Sequence, residues 1–279
     1  MIRLVTDSGS MLTADIRTRF AVDVVPMAVE LDGQSYREGV DLDVADFFTR
    51  LAGGATVTTS APSPGDLLSA YQRASDAGAA EVLSIHTGSN YSATVGAATV
   101  AAGMASLPVT VVDTRAASFA VSLSVWAAGE SLAGGGTATR AAHAARTTAA
   151  QGGSVFVVGV PRLALEGGRF TAVAAGLAPT SVLELGPAGL RELGKVDSVE
   201  AALDAMTAHI VGLTARGPAL RMAIGDADRP ALADALTERL RAATGSHEIV
   251  HYVVGPSVAA HTGVGSIGIV YCPLVPIHD

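Results

Sequence analysis

The chain opens on an apolar run over residues 2–6 that stops at the turn-forming Asp7-Ser8-Gly9-Ser10. From there short apolar runs alternate with longer stretches of helical periodicity. Residues 22–31 hold two apolar runs broken near Pro26. Residues 44–51 predict a helix, and 64–74 a second one, started by Pro62-Ser63-Pro64. A strand over 81–85 leads to an Ala-rich helix over 94–105, and a strand over 109–112 to a long helix over 116–132. This strand–helix rhythm predicts a mostly parallel sheet covered by helices.

Gly134-Gly135-Gly136 interrupts the rhythm, a helix over 137–150 resumes it, and Gln151-Gly152-Gly153 ends it. A domain boundary is expected there, giving an N-terminal domain over 1–150 and a C-terminal domain over 151–279. The second half reads as a strand over 155–160, then a hairpin over 182–185 and 190–194, and a helix over 199–215. A strand over 219–224, a helix over 230–243 and strands over 248–254 and 267–272 complete it. Hairpins mixed with crossovers predict a mixed sheet. The expected fold is therefore two α/β domains, the first mostly parallel and the second mixed.

Composition narrows the partners. Apolar residues make up 49% of the 279 and charged residues 16%, enough for sizeable cores and too apolar for disorder. Aromatics are only 4% and the net charge is 18 − 26 = −8, so neither a basic stripe nor a stacking platform for nucleic acid is present. The single cysteine, Cys272, excludes an intrachain disulfide and a multi-cysteine metal site. The N-terminus lacks an apolar signal core, and no apolar run reaches membrane-spanning length, so a soluble cytoplasmic protein with no integral membrane segment is expected.

Several chemical motifs fail on context. Gly263-Val264-Gly265-Ser266-Ile267-Gly268 fits a dinucleotide pattern, but only 11 residues follow Gly268, too few for a helix, a strand and a ribose-binding acid. Gly189 to Gly194-Lys195 has phosphate-loop spacing, but Val196 stands where a magnesium-binding hydroxyl is needed. The histidines show no zinc spacing; His247 and His251 lie four apart on an expected strand with no carboxylate grouped beside them. No nucleophile-elbow signature occurs. No cofactor or metal is expected.

Three hydroxyl-rich segments remain: Thr6-Asp7-Ser8-Gly9-Ser10, Thr58-Thr59-Ser60 with Ser63, and Thr87-Gly88-Ser89-Asn90-Tyr91-Ser92-Ala93-Thr94. They read as loops beside strand ends or helix starts, and in a parallel sheet such loops gather where ligands bind. Free amides and the partial positive charge at a helix N-terminus, with Ser and Thr donors, suit a carboxylate or phosphate without a lysine. Ser and Thr are also ordinary helix caps, so capping competes with binding for each of them.

Six of these pieces, in order, resemble the DegV family of bacterial fatty-acid-binding proteins. They are Thr6-Asp7-Ser8; Asp32-Gly33 with Tyr36 and Gly39; Thr59-Ser60-Ala61-Pro62-Ser63; Ser89-Asn90-Tyr91-Ser92-Ala93-Thr94; Gly167-Gly168-Arg169; and His261-Thr262-Gly263-Val264-Gly265. The resemblance implies an acyl chain held between two α/β domains and presented to a separate fatty acid kinase, which phosphorylates its carboxylate. It implies that Thr59 and Ser92 bind the carboxylate, that Ser60 and Ser89 line the same pocket, and that His261 supports the head group. Arg169 would contact the head group or the kinase. The chain would then be a lipid-binding, non-catalytic subunit whose partners are a long-chain fatty acid and the kinase. Ala61, Tyr91, Ala93 and Val264 depart from the family pattern, and Asp197 stands where many members carry a basic residue. The alternative is a small-molecule enzyme, a phosphatase or acyl transferase, using Ser8, Ser10 or Ser92 at an anion site.

Overall fold

The computed structural model describes residues 1–168, 170, 176–245 and 248–274. They fall into two compact units, Met1–Leu42 with Val57–Ala150, and Asp43–Thr56 with Gln151–Asp279. Residues 43–56 thus group with the C-terminal half.

In the first unit, β1 (Ile2–Asp7) leads through a 3-10 turn (Ser8–Ser10) and α1 (Ala14–Arg19) to β2 (Asp23–Val25). β3 (Ala28–Leu31) and β4 (Gln34–Arg37) form a hairpin whose two-residue turn is Asp32-Gly33, at φ 52° and 79°. An Asp-Gly pair meets the double positive-φ demand of such a turn. After α2 (Val44–Ala52), which belongs to the second unit, come β5 (Val57–Ser60), α3 (Pro64–Asp76), β6 (Glu81–His86), α4 (Thr94–Met104), β7 (Val109–Asp113), α5 (Phe119–Ala133) and α6 (Ala138–Gln151). Strands β2-β1-β6-β7 form an all-parallel sheet, as the alternation predicts. A separate antiparallel sheet has the order β4-β3-β5.

The parallel sheet is covered on both faces, largely by alanine. Leu4, Leu83, Ile85 and Val112 pack against Val121, Val125 and Ala128 of α5 and Ala141, Ala142 and Ala145 of α6. On the other face Val5, Val25 and Val82 pack against Leu67, Ala70 and Tyr71 of α3 and Ala98 and Ala101 of α4. Methyl-sized contacts let the helices lie close to the strands.

In the second unit, β8 (Gly153–Val157), α7 (Pro161–Glu166), β9 (Ser181–Gly186), β10 (Gly189–Lys195), α8 (Val199–Thr214), β11 (Leu220–Asp226), α9 (Pro230–Thr244), β12 (Ile249–Val253), α10 (Pro256–Thr262) and β13 (Ile267–Pro273) follow. The sheet order is β10-β9-β8-β13-β11-β12, with β11–β12 parallel and the other pairs antiparallel, hence mixed. Its core joins Val155, Val157, Ile224, Ile267 and Ile269 to Leu203, Met206 and Ile210 of α8 and Leu236 and Leu240 of α9.

Some boundaries move for local reasons. The strand expected over 155–160 is Gly153–Val157, because the N–H groups of Gly159 and Val160 donate instead to Thr262 O, at 2.8 and 3.0 Å. The helix expected from 116 starts at Phe119, because Arg115 and Ser118 sit at φ 52° and 57°, outside helical backbone. The segment Thr58-Thr59-Ser60 is not a loop but β5, paired to β3 with Thr59 opposite Val29. The glycine run after α10 is a backbone loop, with Gly263 and Gly265 at φ 79° and 91°, not a dinucleotide turn. Gly189 to Lys195 is the strand β10.

Candidate functional site

In the order β2-β1-β6-β7 the chain leaves β1 toward β2 and later returns on the other side as β6. The strand order therefore reverses between β1 and β6, the position where open α/β sheets form a crevice beyond their carboxyl ends. The segments leaving that point are Ser8–Ser10 and residues 87–93, two of the hydroxyl-rich segments singled out in the sequence.

A buried polar chain ties the two together. Asp7 Oδ2 lies 2.9 Å from His86 Nδ1 and accepts the Thr87 N–H at 2.9 Å, while Asp7 Oδ1 accepts the Thr87 hydroxyl at 2.7 Å. His86 Nε2 meets Ser84 Oγ at 2.6 Å, and Ser84 Oγ meets Tyr71 OH at 2.9 Å. Asp7, Ser84 and His86 are wholly buried. Burial by itself pushes the Asp7 carboxyl up, but the hydrogen bond and charge of His86 and the two Thr87 bonds outweigh it and hold it below its ordinary value. Gly9 closes over this chain: a Cβ there would stand 2.9 Å from Asp7 Oδ1 and 2.8 Å from Met27 Sδ, so a larger residue would have to displace the Asp7 carboxylate or the Met27 side chain.

The Asp7–His86–Ser84 connectivity is that of a nucleophile triad, but a nucleophile must reach its substrate. Ser84 is fully buried and its oxygen is shared with Tyr71, so the chain is structural. Sequence reasoning missed it. The available signal was Ser84 and His86, two polar residues at alternate positions of an otherwise apolar strand.

The loop after β6 is anchored a second time. Ser89 donates its hydroxyl to Asp113 Oδ2 at 2.6 Å and its N–H to Asp113 Oδ1 at 3.1 Å, and Arg115 N–H reaches the same carboxylate at 3.0 Å. Partial burial raises the Asp113 carboxyl, but the Ser89 and Arg115 donors outweigh it and bring it below its ordinary value. Gly88 N–H donates to Ala116 O at 2.8 Å, and a Cβ on Gly88 would collide with the Arg115 backbone. Ser89 therefore holds the loop through its hydroxyl.

Ser92 stands at the start of α4, half-buried, with Oγ 2.7 Å from Thr94 Oγ1 and accepting the Thr94 N–H at 3.3 Å. The N-cap residue is Ala93, which makes no side-chain cap bond. By contrast Ser63 caps α3 through a reciprocal bond pair with Asp66, so its hydroxyl has the ordinary structural role. Beyond the Thr94 N–H that Ser92 takes, the first turn of α4 leaves amide donors and a partial positive charge beside the half-buried Ser92 hydroxyl, while Thr94 itself is wholly buried. Tyr91, next to them, keeps its hydroxyl protonated because burial raises it above its ordinary value.

The other expected site residues lie elsewhere. Thr59, half-buried, and Ser60, exposed, are on β5 of the antiparallel sheet. His261 is on α10 of the second unit, its ring set directly against Gly167 after α7, where any side chain would displace it. Arg169 and His247 lie outside the described residues. Among the described residues, no group of three or more metal-ligating side chains occurs, and no helix is long and apolar enough to cross a membrane.

This is a two-unit α/β protein whose first sheet carries a hydroxyl-rich rim at its strand-order reversal. The chain belongs to the DegV family: the family model, described as an uncharacterised protein of the DegV family, matches residues 1–274. A DegV domain-containing protein of Streptomyces coelicolor is 32% identical over 274 residues, covering 96% of this chain and 97% of the relative. A Mycobacterium tuberculosis DegV domain-containing protein is 30% identical over 275 residues, 95% of each chain. A solved Thermus thermophilus DegV family protein, described by its fatty acid binding, is 31% identical with a TM-score of 0.88, over 98% of this chain and 99% of that one. The Bacillus subtilis DegV structure, described as a fatty acid binding protein, has a TM-score of 0.88 at 23% identity, over 97% of this chain and 98% of that one, and shares the fold.

Proposed function

We propose that this protein binds a long-chain fatty acid and takes its carboxylate at the start of α4, on the Ser92 hydroxyl, which the buried Thr94 orients, and the amides of the helix's first turn. The first turn of α4 carries this reading, because Ala93 gives it no side-chain cap and, among the described residues, only its Thr94 amide is taken, by the Ser92 hydroxyl, so it still offers neutral donors and positive potential. The fatty acid binding ascribed to the Thermus thermophilus relative supports it. Thr59, Ser60 and His261 remain assigned to the ligand, and Arg169 to the ligand or a partner, on their sequence motifs.

Each buried methylene contributes about 0.8 kcal/mol, so some fourteen of them contribute roughly 11 kcal/mol before ordering costs of several kcal/mol. The tail thus supplies affinity and the hydroxyls supply orientation. The protein itself performs no chemistry; it presents the carboxylate to a separate cytoplasmic fatty acid kinase.

Organic extraction of the purified protein followed by mass spectrometry tests the ligand, and releases a fatty acid. Extracts free of lipid, with no binding of added palmitate or oleate, overturn the reading. Acyl phosphate formed from ATP by a fatty acid kinase only when this protein is added tests the partner role, and turnover without that kinase supports an enzyme instead.

A further inference from the structure

The first unit holds a second cleft, of about 410 Å³, lined by Arg3, Arg17, Thr18 and Asp23 with the chain at Ala21 and Val22. Arg3 is the second residue of β1 and Asp7 the last. Four residues of strand, about 13 Å, separate it from the rim that carries Ser92. The cleft is therefore distinct from the proposed carboxylate site.

An arginine on an inner strand of a parallel sheet is out of place, since such strands read as apolar runs. Its Nε–H is buried and bonded to nothing among the described residues. No ion pair joins Asp23 to Arg3 or Arg17, although all three line the same cleft. A desolvated guanidinium N–H without an acceptor is unfavourable, so the cleft is built to receive one. Two cations against one carboxylate make it locally positive in a chain of net charge −8.

We infer that this cleft binds the phosphate or carboxylate group of a small polar molecule between Arg3 and Arg17. The Nε–H and the adjacent Nη–H of Arg3 form the planar fork that grips an oxyanion with two bonds. Arg17, exposed on the last turn of α1, closes over the anion, and the Thr18 hydroxyl adds a neutral donor. Asp23 repels a second negative group and accepts from a hydroxyl or amine on the same ligand. The volume is that of a small-metabolite site.

The test is a nitrogen-edited NMR titration of the arginine Nε–H signals in the full-length protein. Inorganic phosphate and acetate are added in separate arms, with chloride as the ionic-strength control. The Arg3 signal is expected to move saturably with phosphate, acetate or both, and the arm that saturates identifies the anion class. Arg17→Ala weakens that binding about tenfold, and Asp23→Asn tightens it about threefold by removing a like charge. Fatty acid retention is unchanged in Arg17→Ala. The inference is overturned if the Arg3 signal responds to neither anion beyond the chloride control, or if both variants titrate like the parent protein.

Discussion

The Asp7 carboxylate accepts both the backbone N–H and the hydroxyl of Thr87, at 2.9 and 2.7 Å, across 80 residues of sequence. One buried side chain thereby fixes the end of β1 to the first residue of the loop that reaches Ser92. The same carboxylate holds His86, so the loop's starting point is set from two directions.

Asp7→Ala leaves His86 and Thr87 without their acceptor in a dry interior, and is expected to cost about 3 kcal/mol of stability. Tyr71→Phe, which deletes the outer end of the same chain, costs about 1 kcal/mol. Denaturant unfolding of both variants checks the order. An Asp7→Ala protein within about 1 kcal/mol of the parent would show that the chain does not secure the rim.

Ser92→Ala removes a hydroxyl from the proposed carboxylate site and is expected to weaken fatty acid binding about five- to tenfold, and to cost about 1 kcal/mol of stability because the buried Thr94 hydroxyl loses its partner. Ser89→Ala releases the loop from Asp113, so it lowers both binding and stability. Affinity for a fatty alcohol of equal length separates head-group loss from tail loss: Ser92→Ala reduces discrimination between acid and alcohol.

Gly88→Ala drives a methyl group into the Arg115 backbone, which cannot swing aside as a side chain would. The expected cost is about 2 kcal/mol or more, and the displaced loop loses fatty acid. A binding isotherm and a thermal scan of this variant read the two effects together.

Asp7 and Asp113 both have carboxyls held below their ordinary value of 3.8 in the folded protein. A depressed carboxylate contributes stability that is full above the unfolded value and lost as pH falls through the folded one. Stability is therefore expected to be flat from about pH 8 to 5 and to decline below about pH 4. The exposed part of Asp113 screens its share, so Asp7 dominates. Denaturant midpoints across this range check it, and Asp7→Asn flattens the acid limb.

Apolar patterning exposed the long elements: α8 and α9 each bury a stripe at helical spacing, α5 is apolar and buried over most of its surface, and the strands β1, β6, β11 and β13 stand where their apolar runs place them. The six-residue helices α1 and α7 and the seven-residue α10 are too short to show a period, and β5 was hidden by its polar Thr58, Thr59 and Ser60. The loop at Ser89 and Ser92 was legible from its composition and its place after a strand. The Tyr71–Ser84–His86–Asp7–Thr87 chain was not, since its members come from separate segments that only the folded sheet brings together. Ser63 shows why hydroxyls alone decide little: it lies in the same motif as Thr59 and serves as a cap.

α4 rests on the sheet through Ala98 and Ala101, both wholly buried. These two methyl groups act as a spacer that sets how high the helix rides. Enlarging either one to valine would lift the whole rod and carry its first-turn amides away from the rim. Under the proposed function, anion binding at one end of this helix would thus be adjustable from one or two turns further along, by Ala98 and Ala101 on its sheet-facing side.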